Sequence, residues 1–521
     1  PHAPHHTKKS DRDKYLGKYQ QGWDITRKQR LDRQIEMGLV PEGTKLSPYT
    51  PGVVPWSQLS NDQKTMYARF EENYAAFVDN LDQNIGRLIS YLKETDQLNN
   101  TIIIFTSDNG GSREVSIEGS SNALRYYHYH PSTTAQNLKD FDHIGDITTH
   151  PHYPLGWMQT SNTPFIHSKR TAHDGGTRVP LIVSWPAGIK SKGIRHQFHH
   201  VNDLAPTLLE MLKIEPPTEY MGMQVKPMEG ISMVYSFDNP NAPGQKTRQY
   251  YEIEGRRAYY KDGWKIIAYR KPDQRYDETE WELYNLNEDF SASNNLAKAF
   301  PEKVKALEKL WWEDAERYDV LPLIDVPLLE RPMHTRIWLD EPQHYFEYTP
   351  DSDTIYRFKG PVLANRNYTI EAHILRDNAQ QQGVLAALGD YYSGYTFYIK
   401  NNRLHFELDV AHKVYHLVSN TEIPIGSALV EYRFEKVNLA LAIIEGLIKE
   451  GTDFDRLSVL RGTGSLWING KKVAEQKIDQ PLFAVWEGLD IGKDQLTPVS
   501  DNYQSPFRFE GRLEKLVYRL N

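Results

Sequence analysis

The ten residues Thr101–Gly110, TIIIFTSDNG, constrain the fold of this 521-residue chain more than any other stretch. Ile102, Ile103, Ile104 and Phe105 form a short continuous apolar run, the pattern of a strand buried on both faces of a parallel sheet. The run stops at Ser107-Asp108-Asn109-Gly110, where Gly110 and Gly111 let the backbone turn sharply. Ligands of open α/β sheets collect outside the carboxyl ends of strands. A carboxylate and an amide oxygen at such an end are hard ligands for Ca²⁺ or Mg²⁺. Asp, Asn and Gly are also what an ordinary strand-ending turn prefers, so the residues alone leave both readings open.

The flanking sequence supports an α/β arrangement. A helical patch covers Trp23 to Gly38. From Ser60, with Gln63 in the capping-box position, Met66, Phe70, Tyr74, Phe77, Leu81, Ile85, Leu88 and Leu92 recur at helical spacing and predict one buried face. Helix, short loop and buried strand make half of a βαβ unit. Residues 111–163 are rich in His, Tyr, Ser and Thr without a period and read as long surface loops serving binding or acting as lids. Val179–Pro186 reads as a second strand and Asn202–Leu212 as a helix with Pro206 in its first turn. Residues 247–288 predict antiparallel strands turning at Asp262-Gly263, and Glu302–Tyr318 an amphipathic helix.

The length predicts more than one domain, and the prolines of Pro322–Pro332 mark the boundary. The expected organisation is a catalytic domain over 1–326, with an antiparallel subdomain at about 247–320, and a β-sandwich of the lectin or laminin-G kind over 333–521. Short alternating strands (Tyr368–Leu375, Tyr395–Ile399, Arg403–Leu408, Leu466–Asn469) and turns at Asn401-Asn402 and Asn469-Gly470 carry the second assignment. Val437–Ile448 reads as an inserted helix or loop. A net charge of −8 without a basic stripe argues against a nucleic-acid partner. No apolar run approaches the roughly 18 residues of a membrane span. With 0 cysteines, neither a disulfide framework nor a thiolate site is possible. The chain opens on Pro1-His2-Ala3-Pro4 with no leader pattern, and a bacterial periplasm or cytoplasm stays equally open.

Three other stretches could carry chemistry. In Ser168–Pro180 (SKRTAHDGGTRVP) a Lys and a His precede a double glycine that runs into a strand, which could place cations around an anion or form a solvated basic loop. Pro1-His2-Ala3-Pro4 stiffens the backbone around one imidazole. His128, His130, His150 and His152 could bind a transition metal, although their spacing matches no zinc pattern.

Taken in order, nine pieces of the first 325 or so residues resemble the type I sulfatases, the bacterial arylsulfatase branch of the alkaline phosphatase superfamily: PHAP, GWD, NIGRLISYLKETDQLNNT, IIIFTSDNGG, GWMQTSNTPF, SKRTAHDGGTRVPLIVSWPAGI, NDLAPTLLEML, YKDGWK and WELYNLNED. GKDQLTPVS and YQSPFRFEGRL resemble the extra β-sandwich that some of these enzymes carry. The resemblance implies an alkaline-phosphatase-like mixed sheet sandwiched by helices, its N-terminal part missing, followed by an all-β sandwich. It implies that Asp108 and Asn109 are two ligands of one Ca²⁺ (Mg²⁺ or Mn²⁺ being less expected), that Lys169 contacts the sulfate ester, and that His2 faces the sulfate and the leaving-group oxygen. A sulfated small molecule or glycan would be the substrate, cleaved with a formylglycine nucleophile. The family forms that nucleophile within Cys/Ser-x-Pro-x-Arg, and this chain has no such motif. The nucleophile and the opening aspartate pair are therefore expected N-terminal to these residues, in the same polypeptide or in a separate chain. The alternatives are a phosphate or phosphonate monoester hydrolase of the same superfamily, or a non-catalytic carbohydrate-binding relative using Tyr391, Tyr392, Tyr395 and Trp467.

Overall fold

The computed structural model describes residues 2–112, 115–128, 131–269, 279–323, 343–350, 352–357, 359–363, 366–437, 461–479, 482 and 485–521. His130, most of the Pro322–Pro332 boundary and residues 438–448 of the expected insertion lie outside them. The chain divides into two compact units, Pro1–Ser121 with Thr133–Asp325, and Asn122–Ser132 with Val326–Asn521.

In the first unit, helix α1 (Gly22–Glu36) and helix α2 (Asn61–Glu94) flank an aromatic core. Trp157, fully buried, donates its indole N–H to the Tyr67 carbonyl at 2.8 Å, and Trp23 and Trp56 meet it edge-on at 5.8 and 5.7 Å. The GWD stretch is architectural. Gly22 sits at φ +79, where a Cβ would lie 2.1 Å from the Trp56 ring, and Asp24 accepts the Trp56 N–H at 2.9 Å. Ser60 caps α2 by accepting the Gln63 N–H at 3.2 Å, and Gln63 accepts the Ser60 N–H at 3.0 Å, the reciprocal box read from sequence.

Two expectations for this unit need correction. The stripe along α2 is fully buried only through its first turns, at Met66 and Phe70; Tyr74, Phe77, Leu81, Ile85 and Leu92 are half-buried and Leu88 is 53% exposed. Strand β1 (Ile103–Thr106) pairs antiparallel with β2 (Leu181–Ser184) in a two-stranded sheet, and its residues run from half-buried to exposed. A continuous apolar run predicts burial on two faces, but no further strand pairs with β1 or β2 among the described residues. Residues 111–163 also differ from the long surface loops expected. Short helices occupy Thr134–Asn137 and Leu155–Ser161 (α3), and His150, His152 and Trp157 are buried.

The N-terminal segment is held by its histidines. The His5 ring lies among Tyr74, Phe77, His152 and Tyr153 with centroids 5.1–5.5 Å away. Burial, then the neighbouring His152, holds His5 well below 6.5, and burial pushes His150 down to about 4. An unfolded histidine binds its proton near 6.5, so the stability that depends on a neutral His150 is full above that pH and lost as the pH falls toward 4. At pH 5 His150 has lost about 2 kcal/mol, from roughly 1.5 pH units at about 1.4 kcal/mol per unit, and His5 adds a loss of the same sign. Urea denaturation is expected to show lower stability at pH 5 than at pH 7.5, by about 2 kcal/mol or more; a flat profile would contradict it.

Strands β3 (Arg248–Ile253), β4 (Arg256–Lys261), β5 (Trp264–Ala268) and β6 (Glu282–Asn285) form an antiparallel sheet in that order, with the turn at Asp262-Gly263 as expected. Helix α4 (Leu204–Leu212) lies between β2 and this sheet in sequence, and helix α5 (Pro301–Arg317) buries Leu307 and Trp311 with Tyr259, Ile266 and Leu283 of the sheet.

The second unit is a two-sheet β structure. One sheet runs β15-β14-β13-β8-β17-β7, from β7 (Tyr345–Tyr348), β8 (Tyr368–Arg376), β13 (Gly426–Lys436), β14 (Gly462–Ile468), β15 (Lys471–Ile478) and β17 (Arg512–Leu520). The other runs β12-β11-β10-β9-β16, from β9 (Gly383–Asp390), β10 (Ser393–Lys400), β11 (Arg403–Val410), β12 (Lys413–Val418) and β16 (Leu489–Ile491). Their inner faces meet where Phe406 stacks on Tyr432 and the Tyr395 hydroxyl bonds that of Tyr518 at 2.8 Å. Tyr395 is thus a core residue, and Trp467 lies under the Arg433 guanidinium at 4.1 Å.

Candidate active site

Past β1, Ser107–Gly111 turns back on itself. The Ser107 hydroxyl donates to the Asn109 carbonyl at 2.9 Å, and the Asn109 side-chain amide donates to the Gly110 carbonyl at 2.8 Å. This turn packs backbone against backbone on the second double glycine. The Gly110 N–H donates to the Gly176 carbonyl at 3.0 Å, and a Cβ on Gly110 would stand 1.8 Å from the Gly175 carbonyl oxygen.

Asn162, at the end of α3, clamps the assembly. Its Oδ1 accepts the Gly111 N–H at 2.7 Å, while its Nδ2 donates to the His167 carbonyl at 2.9 Å. The Gly111 carbonyl in turn accepts the Lys169 N–H at 3.0 Å. Sequence reasoning passed over Asn162 because a single amide carries no periodicity. The available signal was a polar residue closing an otherwise buried helix just before Pro164.

The structure brings Lys169 and His2 together across 167 positions, with Nζ 3.3 Å from Nε2. The His2 Nδ1 lies 2.9 Å from the Ala3 carbonyl and can only donate there, so Nε2 is the acceptor toward the ammonium. A lysine cation and an imidazole nitrogen then converge on one exposed spot, which suits an anionic oxygen.

The neighbours of Lys169 turn the other way, toward β3–β6. Arg170, at φ +67, forms a bidentate pair with Glu254 at 2.7–3.1 Å. His173 Nε2 meets Glu282 at 2.9 Å, and Asp174 meets Lys265 at 2.6 Å. Burial pushes the Asp174 carboxyl up, but Lys265 and Arg178 overcome it and hold it below the ordinary value. These groups fix the loop and leave Lys169 presented.

Asp108 and Asn109 end β1 with hard oxygens. Asp108 Oδ1 accepts the Asn109 N–H at 3.1 Å, and neither Asp108 Oδ2 nor Asn109 Oδ1 has a hydrogen bond among the described residues. The donor chemistry fits a corner of a calcium site. Among the described residues no group of three or more His, Asp or Glu could hold a metal, so two oxygens fall short of the six to eight that Ca²⁺ takes. Among the described residues His128, His150 and His152 do not form a transition-metal site either. His150 and His152 are buried in the first unit, and His128 bonds Leu124 and Ser393 within the second.

Residues 1–214 match the family model described as sulfatase, and residues 165–315 match that described as N-sulphoglucosamine sulphohydrolase, C-terminal. Over these residues the chain is similar to the sulfatases. It is 34% identical over 319 residues to an uncharacterized sulfatase of Schizosaccharomyces pombe (60% of this chain, 55% of the relative). It is 29% identical over 234 residues to an arylsulfatase of Klebsiella aerogenes (45% and 48%). A solved sulfatase of Pseudoalteromonas sp. aligns at TM-score 0.31 and 20% identity, covering 49% of this chain and 44% of that one. The chain spans about half the length of the curated relatives it matches.

Proposed function

We propose that this chain carries the metal-corner and leaving-group side of a sulfate monoester hydrolase. The convergence of Lys169 Nζ and His2 Nε2 at 3.3 Å carries the reading, with Lys169 tied through Gly111 to the turn bearing Asp108 and Asn109. Lys169 offsets negative charge on the ester oxygens as the S–O bond breaks. His2 takes up a proton at Nε2, the nitrogen that otherwise accepts from Lys169, and gives it to the departing alkoxide, while the Ala3 carbonyl holds its ring in place. Asp108 and Asn109 would hold Ca²⁺, which supplies Lewis-acid charge when bound.

The nucleophile, a formylglycine, and the remaining metal ligands come from outside residues 1–521. The exposed apolar side chains of β1, β2 and the second half of α2 (Phe105, Leu181, Ile182, Leu88) support a further strand-bearing segment packing there, since two strands alone are marginal in water.

The test supplies a segment bearing an aspartate pair and Cys-x-Pro-x-Arg, modified in a formylglycine-competent host. Aryl sulfate turnover is expected only for the combination, lost on chelation and restored by Ca²⁺. Asp108→Ala and Lys169→Ala are each expected to lower kcat/KM by about 10²-fold or more. Turnover by residues 1–521 alone would sink the proposal, and preference for an aryl phosphate would move the site to phosphoryl transfer.

A further inference from the structure

Two hairpin turns stand side by side at one end of the five-stranded sheet. Tyr391-Tyr392 joins β9 to β10, Ala411-His412 joins β11 to β12, and Ser393 pairs with Val410 between them. Ala411 and His412 take φ +53 and +70, the left-handed region at both central positions. Such a turn relaxes with Asn-Gly, as the chain itself provides at Asn469-Gly470 (φ +47 and +77). A side chain with a Cβ is strained at each such position.

What the strained turn gains is ring placement. His412 lies 5.2 Å from the Tyr391 ring and 5.8 Å from that of Tyr392, and the two tyrosines meet at 5.6 Å. The tyrosines are half-buried and His412 is exposed, so solvent reaches the cluster. Beside it, Asp409 Oδ1 accepts the His412 N–H at 2.6 Å, and Asp390 Oδ1 accepts the N–H groups of Tyr392 and Ser393 at 2.9 and 3.3 Å. Both carboxylates are buried; among the described residues neither meets a lysine or arginine, and Asp409 Oδ2 lies 3.7 Å from His412 Nδ1. Burial raises both, Asp390 to about 6. Asp501, exposed, adds further negative charge.

We propose that these turns form a binding site for a neutral saccharide, with Tyr391, Tyr392 and His412 packing on the C–H face of a sugar ring and Asp409 positioning His412. Three rings make too small a patch for a protein interface of about 800 Å² per partner, whereas one or two sugar rings fit. The acidic surround disfavours sulfated rings, the opposite of the cationic pair at Lys169. The site is independent of the hydrolase reading and goes beyond it.

The purified chain would be titrated calorimetrically, with chelator present, against a panel of unsulfated oligosaccharides, their sulfated counterparts and oligolysine. Binding of an unsulfated member is expected, at least tenfold tighter than its sulfated form. Tyr391→Ala with Tyr392→Ala is expected to weaken it at least tenfold. His412→Asn separates ligand from fold, because it relaxes the turn and raises the melting temperature while weakening binding. A blank panel, binding unchanged in these variants, preference for sulfated sugars, or binding of oligolysine alone would each overturn the proposal.

Discussion

Lys265→Ala is expected to destabilise the chain by about 3 kcal/mol, near the lower end of what breaking a buried ion pair costs. Lys265 and Asp174 are 3% and 7% exposed at the side chain and meet at 2.6 Å, so the variant leaves a buried carboxylate. Arg178, 3.4 Å from the other oxygen and 35% exposed, compensates only in part. For a unit of roughly 300 residues the melting temperature should fall by about 4–5 °C. The effect depends on pH with a definite sign. In the parent the Asp174 carboxyl is held below its ordinary value, so its contribution is full above the unfolded value near 4 and lost as the pH falls through the folded one. In the variant, burial alone acts and protonation relieves the strain, so the gap between the proteins narrows toward pH 4. Adding Asp174→Asn to Lys265→Met should recover most of the loss; a double variant as unstable as the single one would show that Lys265 acts by packing on Tyr251 instead.

How much of this was legible in the sequence depended on whether the signal was local. Ser60 with Gln63, the Asp262-Gly263 turn and the Asn401-Asn402 and Asn469-Gly470 hairpins were readable because a cap or turn is decided by residues three or four apart. The burial of Leu88 and Phe105 was misjudged because sequence pattern says which residues share a face, and not whether anything covers it. His2 and Lys169 entered through family resemblance; no spacing rule links positions 167 apart, and their approach to 3.3 Å is a property of the fold. Asn162 was passed over because Gly111 and the His167 carbonyl, which it joins, are backbone groups that leave no trace in side-chain pattern. The histidines at 150 and 152 misled in the opposite direction. Their density suggested a metal, yet burial beside His5 explains them.

Gly110→Ala is expected to disable the completed enzyme by about 10²-fold in kcat/KM without preventing folding, from a misplacement on the order of 1 Å. The added methyl would sit 1.8 Å from the Gly175 carbonyl oxygen and 2.8 Å from its carbon, so one of the two double-glycine turns must retreat. The backbone of Gly110 is not in the left-handed region, so the substitution tests steric contact alone. Retreat of this turn carries Asp108 and Asn109 with it and pulls on the Gly111 carbonyl that holds Lys169. The proposed metal ligands and Lys169 therefore lose register together, at an overpacking cost of about 1–3 kcal/mol in stability. Gly86→Ala, in α2 with no atom within 4 Å of the new methyl, should instead stabilise by about 0.5–1 kcal/mol and leave activity unchanged. A Gly110→Ala enzyme with parental kcat/KM would mean that the two turns need not touch for the site to work.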